Sequence, residues 1–535
     1  MNSKPESQNR KIVLALLPYW PPLIPPLGIA CLKGFLQPHG YSIKTVDLNV
    51  EEEFREIHDS YFNCLAAGIP PHKRGNFYNV GYDVLENHLM AHFNKRDEEE
   101  YLQLVKLLVA NNFYSEIAEP LVLEMNETVQ RFYARLERYL HRLVRSEEPG
   151  VLGLSVYRCT LAASLFALKL VKENYPQIMT VIGGAVFSQC LVPGTPNFEL
   201  FLEKTPYIDR IIIGEGELLF QRLLAGELDA SRKVYTAADI GWETLDLSSA
   251  ALPDFSDFAM KYYAFNSAYA SRSCPFQCSF CAETVTWGKY RKKTPTKIVA
   301  ELTALYHRCG KQLFLMCDSL LNPVITGLSM EVIQCGTPLY WDGYLRVDHQ
   351  ACSQETTFHW RQGGFYRARL GLESGSQRIL NLIGKQITPA QIKAAVINLA
   401  RAGIKTSTMW VVGHPGETEH DFQQTLDLIT ELKEEIYEAE CNPFRYFYAG
   451  QVNSENWLNQ YPRINLYSEK NRQLLIAQTW VLDCEPNREA IYRRVVRFEE
   501  HCQKLGIPNP YSMREIHQAD QRWKKLQENA VPPLV

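Results

Sequence analysis

The sequence predicts an α/β protein built from two successive parallel-sheet units: an open N-terminal sheet interrupted by a helical insertion, then a partial (β/α)6 barrel, then a mostly helical C-terminal cap. Three observations predict it. Short apolar runs alternate with amphipathic stretches over most of the chain, the pattern of parallel strands joined by crossover helices. Each run closes on small or polar residues, where open sheets and barrels keep their ligand-binding loops. Finally, 535 residues are more than one core organises, so internal joins are expected.

Composition narrows the class. Apolar residues make up 46% and charged residues 22% of the chain, as in ordinary globular proteins. The 14 cysteines are spread along the whole length, which speaks for a reducing compartment and against a disulfide scaffold. No apolar run is long enough to span a bilayer, and MNSKPESQNRK leads directly into a strand without a signal-peptide pattern, so a cytoplasmic protein is expected. A net charge of −4 provides no basic field, and nucleic acid is not an expected partner.

IVLALLP (12–18) and SIKTVDLN (42–49) read as buried parallel strands, with PPLGIACLKGFLQPHG between them as the crossover helix. Residues 51–148 are charged, Tyr-rich and helical in period, as in EEEYLQLVKLLVA and VQRFYARLERYLHRLVR, and read as an insertion. VLGLSV (151–156), MTVIGGA (179–185) and RIIIGEGE (210–217) resume the strand series. These segments place a first domain at 1–230 and, through the Asp-, Ser- and Pro-rich DLSSAALPDFSDF, a linker at 231–265.

A second series occupies 266–452: SAYASRS, KQLFLMCD, PLYWDGYLRVD, GFYRARLGLES, KTSTMWVVGHP and FRYFYAGQV, most of them separated by helical segments. Six βα units are too few for a closed eight-stranded barrel. Residues 453–535 are polar, helical and aromatic and read as a cap.

The sharpest signal is SRSCPFQCSFCAE, which spaces Cys274, Cys278 and Cys281 as C-x3-C-x2-C with no fourth cysteine nearby. Structural zinc normally takes four side-chain ligands, so a zinc knuckle would need a distant His or Cys. A 4Fe-4S cluster held by three thiolates instead keeps one iron open for a small molecule.

This stretch resembles the signature of the radical S-adenosylmethionine (SAM) superfamily. The resemblance implies that SAM chelates the open iron and that one electron splits it to a 5′-deoxyadenosyl radical, which abstracts hydrogen from an unactivated carbon. It implies roles for neighbouring residues as well. Phe280 matches the aromatic near the adenine. Asp318, with Asn322 in LFLMCDSLLNP, stands where the family meets the SAM amino group, although Cys-Asp-Ser replaces the usual Gly-Gly-Glu type sequence. Glu373 and Ser374 end a strand against ribose or methionine. Val412 and Gly413, in WVVGHPGETEHDF, lie against the adenine. Arg346, Arg367 and Arg369 read either as anion binders or as structural ion pairs.

The first unit is similar to the Rossmann-like, cobalamin (B12)-binding-type domain that precedes the barrel in one subgroup of this superfamily. The resemblance covers most of residues 10–450, with 51–148 poorly matched. Its loops would carry Tyr157, Gly183, Gly184, Gly214, Glu215, Gly216 and Glu217, since glycine lets backbone N–H groups approach a ligand. The Asp-x-His-x-x-Gly loop that supplies a histidine to cobalt elsewhere is missing.

The function implied is a radical SAM enzyme with a 4Fe-4S cluster, SAM and cobalamin as cofactors, methylating an unactivated carbon of a small molecule or peptide. A one-electron reductant such as flavodoxin or ferredoxin is the expected partner. A cobalamin-independent peptide epimerase or cyclase uses the same barrel. An epimerase returns hydrogen from a thiol, for which Cys317, Cys352, Cys484 and above all Cys441 are candidates, although each reads more readily as a small buried apolar residue. A non-catalytic cobalamin or Fe-S sensor is the third reading.

Overall fold

The computed structural model describes residues 11–446, 455–475, 479–510 and 513–526. Its first sheet has six parallel strands, Ile12–Leu16, Ile43–Asp47, Val151–Ser155, Met179–Gly183, Arg210–Ile212 and Val234–Tyr235. In space they run second, first, third, fourth, fifth, sixth. The order therefore reverses beside the first strand, the position where an open α/β sheet leaves a ligand crevice. Ile12–Leu16 is buried at every position because helices cover both faces of the sheet, and it reads accordingly as an unbroken apolar run. The sixth strand falls inside 231–265, the stretch expected as linker; two residues are too short to show a period.

The insertion is helical, as the sequence indicates, with main helices Glu52–Gly68, Phe77–Asn94, Glu98–Phe113 and Glu119–Glu147. The last buries Val122, Met125, Val129, Phe132, Leu136, Leu140 and Leu143, an apolar stripe at helical spacing that turns its charged face outward.

The second sheet also has six parallel strands: Asn266–Ala268, Leu313–Met316, Tyr340–Leu345, Phe365–Glu373, Lys405–Val412 and Glu438–Pro443. Here the spatial order is the chain order, and the first and sixth strands do not pair. Strand twist bends such a ladder into a trough, the partial barrel. The sixth strand lies ahead of FRYFYAGQV, where the sequence places it, because Glu438 and Glu440 break the apolar pattern; Phe447 and Tyr448 of that segment fall outside the described residues.

An open barrel has two edges to protect. On the first strand, Ser267 Oγ donates to Pro25 O (2.9 Å), and Leu23 O accepts from Phe265 N–H (3.1 Å) just before it. On the sixth, Ala439 N–H donates to Pro508 O (3.0 Å), Asn509 Nδ2 to Ala439 O (2.7 Å) and Asn76 Nδ2 to Cys441 O (3.0 Å). The insertion reaches both units: Asp83 takes Arg158 from the loop after the third strand of the first sheet and Arg445 (3.2 Å) from beyond the sixth barrel strand.

The C-terminal region is more than a helical cap. Arg463–Asn465 and Trp480–Leu482 pair as a small antiparallel ribbon. Helix Arg488–Lys504 lies on the barrel wall, with Ile491, Val495, Phe498 and Cys502 in the main core. No described helix is long and apolar enough to cross a membrane.

Candidate active site

The cysteine loop leaves the first barrel strand and is drawn closed at its base by antiparallel pairing of Ser271–Arg272 with Arg291–Lys292. Asp318, at the end of the second strand, anchors its start. Its carboxylate accepts Ala270 N–H at 2.9 and 3.1 Å and the Ser271 hydroxyl. Burial raises this carboxyl to about 6. Asp318 is 2% exposed, so its oxygens hold the cysteine loop and are not offered to a SAM ammonium as the sequence reading expects.

Within the loop, Cys281 N–H donates to Cys278 O (3.1 Å) and Ser279 N–H to Ile383 O (3.0 Å). The three thiols are free of disulfides and partly exposed. Burial pushes the Cys274 thiol up and Cys281 to about 11, and each feels the other two or one of them electrostatically. Arg346 Nη1 lies 3.4 Å from Cys278 Sγ, its guanidinium stacked 4.1 Å over Phe276. Asn322 sets Arg346 in place, accepting its N–H at 2.8 Å and donating to its carbonyl at 2.8 Å. Among the described residues no three His, Cys, Asp or Glu converge on a point that one ion would occupy. A cubane asks for one thiolate on each of three irons, and coordination deprotonates thiols that burial would otherwise keep neutral. Three accessible, mutually interacting thiols with a buried cation beside them fit such a cluster.

The other strand ends divide. Glu373, with φ of 67°, turns into an ion pair with Lys385 (2.6 Å), which also lies near Cys274. Ser374 is fully buried and occupied by Thr425 Oγ1 (3.3 Å) and Ser376 N–H (3.1 Å). Val412 points into the core. Gly413 donates its N–H to Glu417 Oε2 (2.8 Å), and a Cβ there would stand 2.4 Å from Ile491, so the position is glycine for packing. The preceding Val411 is the residue that joins half-buried Phe280 against Phe444 and Trp457.

Cys441 sits on the outer face of the sixth strand. It is fully buried beside Glu499 and Cys502 of helix Arg488–Lys504, and burial drives its thiol well up. That placement, away from the barrel interior, does not support a hydrogen-donor role. Cys317 is placed otherwise. It is exposed, yet burial pushes its thiol up, and it lies within electrostatic reach of Tyr157 in the first unit. Tyr157 is stacked on Trp20 at 4.3 Å, its hydroxyl pushed up to about 12 by burial.

The glycine loops of the first unit are partly spent internally. A Cβ on Gly184 would lie 2.6 Å from the Val156 backbone, and one on Gly183 3.2 Å from Ile212 O. Gly216 opens helix Gly216–Ala225 against Leu32. Glu215 and Glu217 pair with Arg272, the former at 2.9 Å, and Glu215 also with Arg291, so this loop ties the first sheet to the base of the cysteine loop. These positions are corrections to a purely ligand-binding reading. Gly214 has φ of 104° and open space around it.

The barrel interior is polar, which sequence reading missed apart from its arginines. Asp342 is fully buried and accepts Arg367 Nε (2.8 Å) and Arg369 Nη2 (3.0 Å); Glu438 stands 3.9 Å from Arg367. The available signal was the i, i+2 spacing in RAR and EAE, which puts like charges on one face of a strand.

Residues 269–429 match the Radical SAM superfamily. The chain carries a radical SAM domain over those residues. It is 25% identical over 313 residues to an uncharacterized methyltransferase of Pyrococcus horikoshii, covering 54% of this chain and 66% of that protein. It is 27% identical over 321 residues to the anaerobic magnesium-protoporphyrin IX monomethyl ester cyclase of Cereibacter sphaeroides (55% and 51%). Against the cobalamin-dependent radical SAM methyltransferase TokK of Streptomyces tokunonensis it is 26% identical over 317 residues (53% and 45%). The chain thus spans about half to two thirds of these relatives. The radical SAM methyltransferase TsrM from Kitasatospora setae, solved with cobalamin and a [4Fe-4S] cluster, superposes with a TM-score of 0.62 at 14% identity, covering 97% of this chain and 99% of that one. Sheet, insertion and barrel together therefore have the fold of that enzyme.

Proposed function

We propose that the protein is a radical SAM C-methyltransferase that uses cobalamin. The observation that carries this reading is the meeting of the two units: the three-cysteine loop follows the first barrel strand, and Tyr157 of the cobalamin-type unit lies within electrostatic reach of Cys317, just past the second. When bound, the cluster and SAM supply a 5′-deoxyadenosyl radical and cobalamin a transferable methyl group. The chain's own residues do the positioning. Cys274, Cys278 and Cys281 hold the cluster, Arg346 offsets its charge, and Asp318 fixes the start of the loop. Phe280 and Val411 provide the apolar wall for adenine. The Arg272 bridges to Glu215 and Glu217 tie the two units together. A one-electron donor is required.

Anaerobic reconstitution with iron, sulfide, cobalamin, SAM and dithionite tests the reading. Formation of 5′-deoxyadenosine together with stoichiometric cobalt supports it. A protein that holds zinc and never forms 5′-deoxyadenosine refutes it. Cys317 favours a second reading, a cobalamin-independent reaction that returns hydrogen from a thiol, with Cys317 in place of Cys441; activity without cobalt would select it.

A further inference from the structure

The sulfurs of the cysteine loop do not receive their hydrogen bonds from the same kind of donor. Cys274 accepts the N–H of Phe276 and Cys281 that of Glu283, in each case a backbone donor two residues further along the loop. Cys278 takes its donor from a side chain 68 residues away, Arg346 Nη1 at 3.4 Å. Arg346 directly follows the third barrel strand, Tyr340–Leu345, and so stands at the end of the sheet from which the loop departs. Its backbone is gripped on both sides by Asn322, which is itself tied to Asp348 at 2.7 Å, and its guanidinium is stacked on Phe276. Contacts at the root and at the tip thus aim this side chain at one sulfur.

A second observation concerns the counter-ion. Arg346 is 6% exposed, and the other two buried arginines among the described residues, Arg135 and Arg494, pair with Glu53 and Glu417. Arg346 has no carboxylate at ion-pair distance among the described residues; the group its guanidinium donates to is the Cys278 thiol. A buried cation is costly unless an anion stands beside it. Ligation deprotonates a thiol, so the sulfur becomes that anion when Cys278 holds a cluster.

We propose that Arg346 sets the reduction potential of the cluster through the Cys278 sulfur. The inference rests on the proposed function only in taking the three thiols as cluster ligands. When the external donor delivers one electron, the ligand sulfurs become more negative. A charge-assisted N–H···S bond stabilises that reduced form more than the oxidised one and raises the potential. The two backbone donors carry no net charge, so Arg346 is the donor that adds an electrostatic contribution to its hydrogen bond. It acts through Cys278, as a tuning residue.

Redox titration of the reconstituted protein without SAM, followed by the electron paramagnetic resonance of the reduced cluster, tests it. At a fixed potential Arg346→Gln is expected to lower the reduced-to-oxidised ratio at least about tenfold, equivalent to about 59 mV for a one-electron couple. Arg346→Lys, which keeps the charge, is expected to fall between the two. Wild type carrying a heavy-nitrogen guanidino label should show a hyperfine coupling to that nitrogen in pulsed resonance, a result that decides the matter even where the glutamine variant assembles no cluster. An unchanged or raised ratio in Arg346→Gln, a lysine variant no closer to wild type than glutamine, or no coupling in the labelled protein overturns the proposal. So does a glutamine variant that keeps the wild-type ratio but loses affinity for S-adenosylhomocysteine, which would make Arg346 a contact of the SAM carboxylate. Failure here with 5′-deoxyadenosine still formed leaves the enzyme reading intact; the expected shift without any 5′-deoxyadenosine sinks that reading and keeps the tuning role.

Discussion

The two sheets are made of the same part, a parallel strand followed by a helix, yet they keep their ligand space in different places. In the first, strand order reverses beside Ile12–Leu16, both faces are covered, and the core strands are apolar throughout. In the second, order follows the chain, the ladder curls, and one face becomes an interior lined by Asp342, Arg367, Arg369, Glu438 and Glu440. The first can offer a ligand only its edge loops, and several of those are tied to their own backbone or to the barrel. The second offers a wall. Connectivity, with strand composition following it, decides which sheet is a support and which a reaction vessel.

Four expectations sharpen or break that comparison. The largest effect belongs to the barrel mouth: Cys278→Ala should remove the cluster absorbance after reconstitution and reduce 5′-deoxyadenosine to background, since two thiolates do not hold a cubane stably. Retention of both would relocate the chemistry.

Next comes the joint between the sheets. Arg272→Ala leaves Glu217, 6% exposed, as a buried carboxylate without its cation, and should cost about 3–5 kcal/mol of unfolding free energy in urea. A loss under about 1 kcal/mol would mean that the joint is solvated and the units move independently.

The glycines of the first sheet should separate by use. Gly184→Ala forces a Cβ against the Val156 backbone at positive φ (116°) and should destabilise by about 3 kcal/mol. Gly214→Ala, with φ of 104° and open space, should cost about 1 kcal/mol and show instead in cobalamin affinity. Equal costs would erase the distinction between a packed and a ligand-facing loop.

Asp318 adds a pH dependence of intermediate size. Burial holds its carboxyl near 6 in the folded chain, against about 4 when unfolded. The folded state therefore binds the extra proton between those values, so this contribution to stability is full below pH 4 and fades as pH rises through 6. Asp318→Asn should remove a slope worth on the order of 2 kcal/mol, read as wild type minus variant in denaturation from pH 4 to 7. An unchanged slope would free the carboxylate for a ligand after all.

Legibility followed locality. Most strands of both sheets were readable because a buried strand is apolar by its own composition; Val234–Tyr235 was missed because two residues show no period, and Glu438–Pro443 because its interior face is charged. The loop of Cys274, Cys278 and Cys281 was readable because its spacing lies within eight residues of chain. Asp318, Ser374, Gly184 and Glu217 stood out in the sequence as ligand contacts, and each has a partner elsewhere in the fold. Arg346 gains its meaning from the Cys278 thiol beside it.

By itself the sequence determined the alternation of strands and helices, the helical nature of the insertion and the three-thiol loop, because each follows from the spacing of residues a few positions apart. Only the tertiary structure decided which candidate side chains stay accessible and which are consumed in holding the loops. That choice is made by contacts between residues tens to hundreds of positions apart, Asp318 with Ala270, Glu217 with Arg272, Asn76 with the sixth barrel strand, and no local pattern carries their geometry.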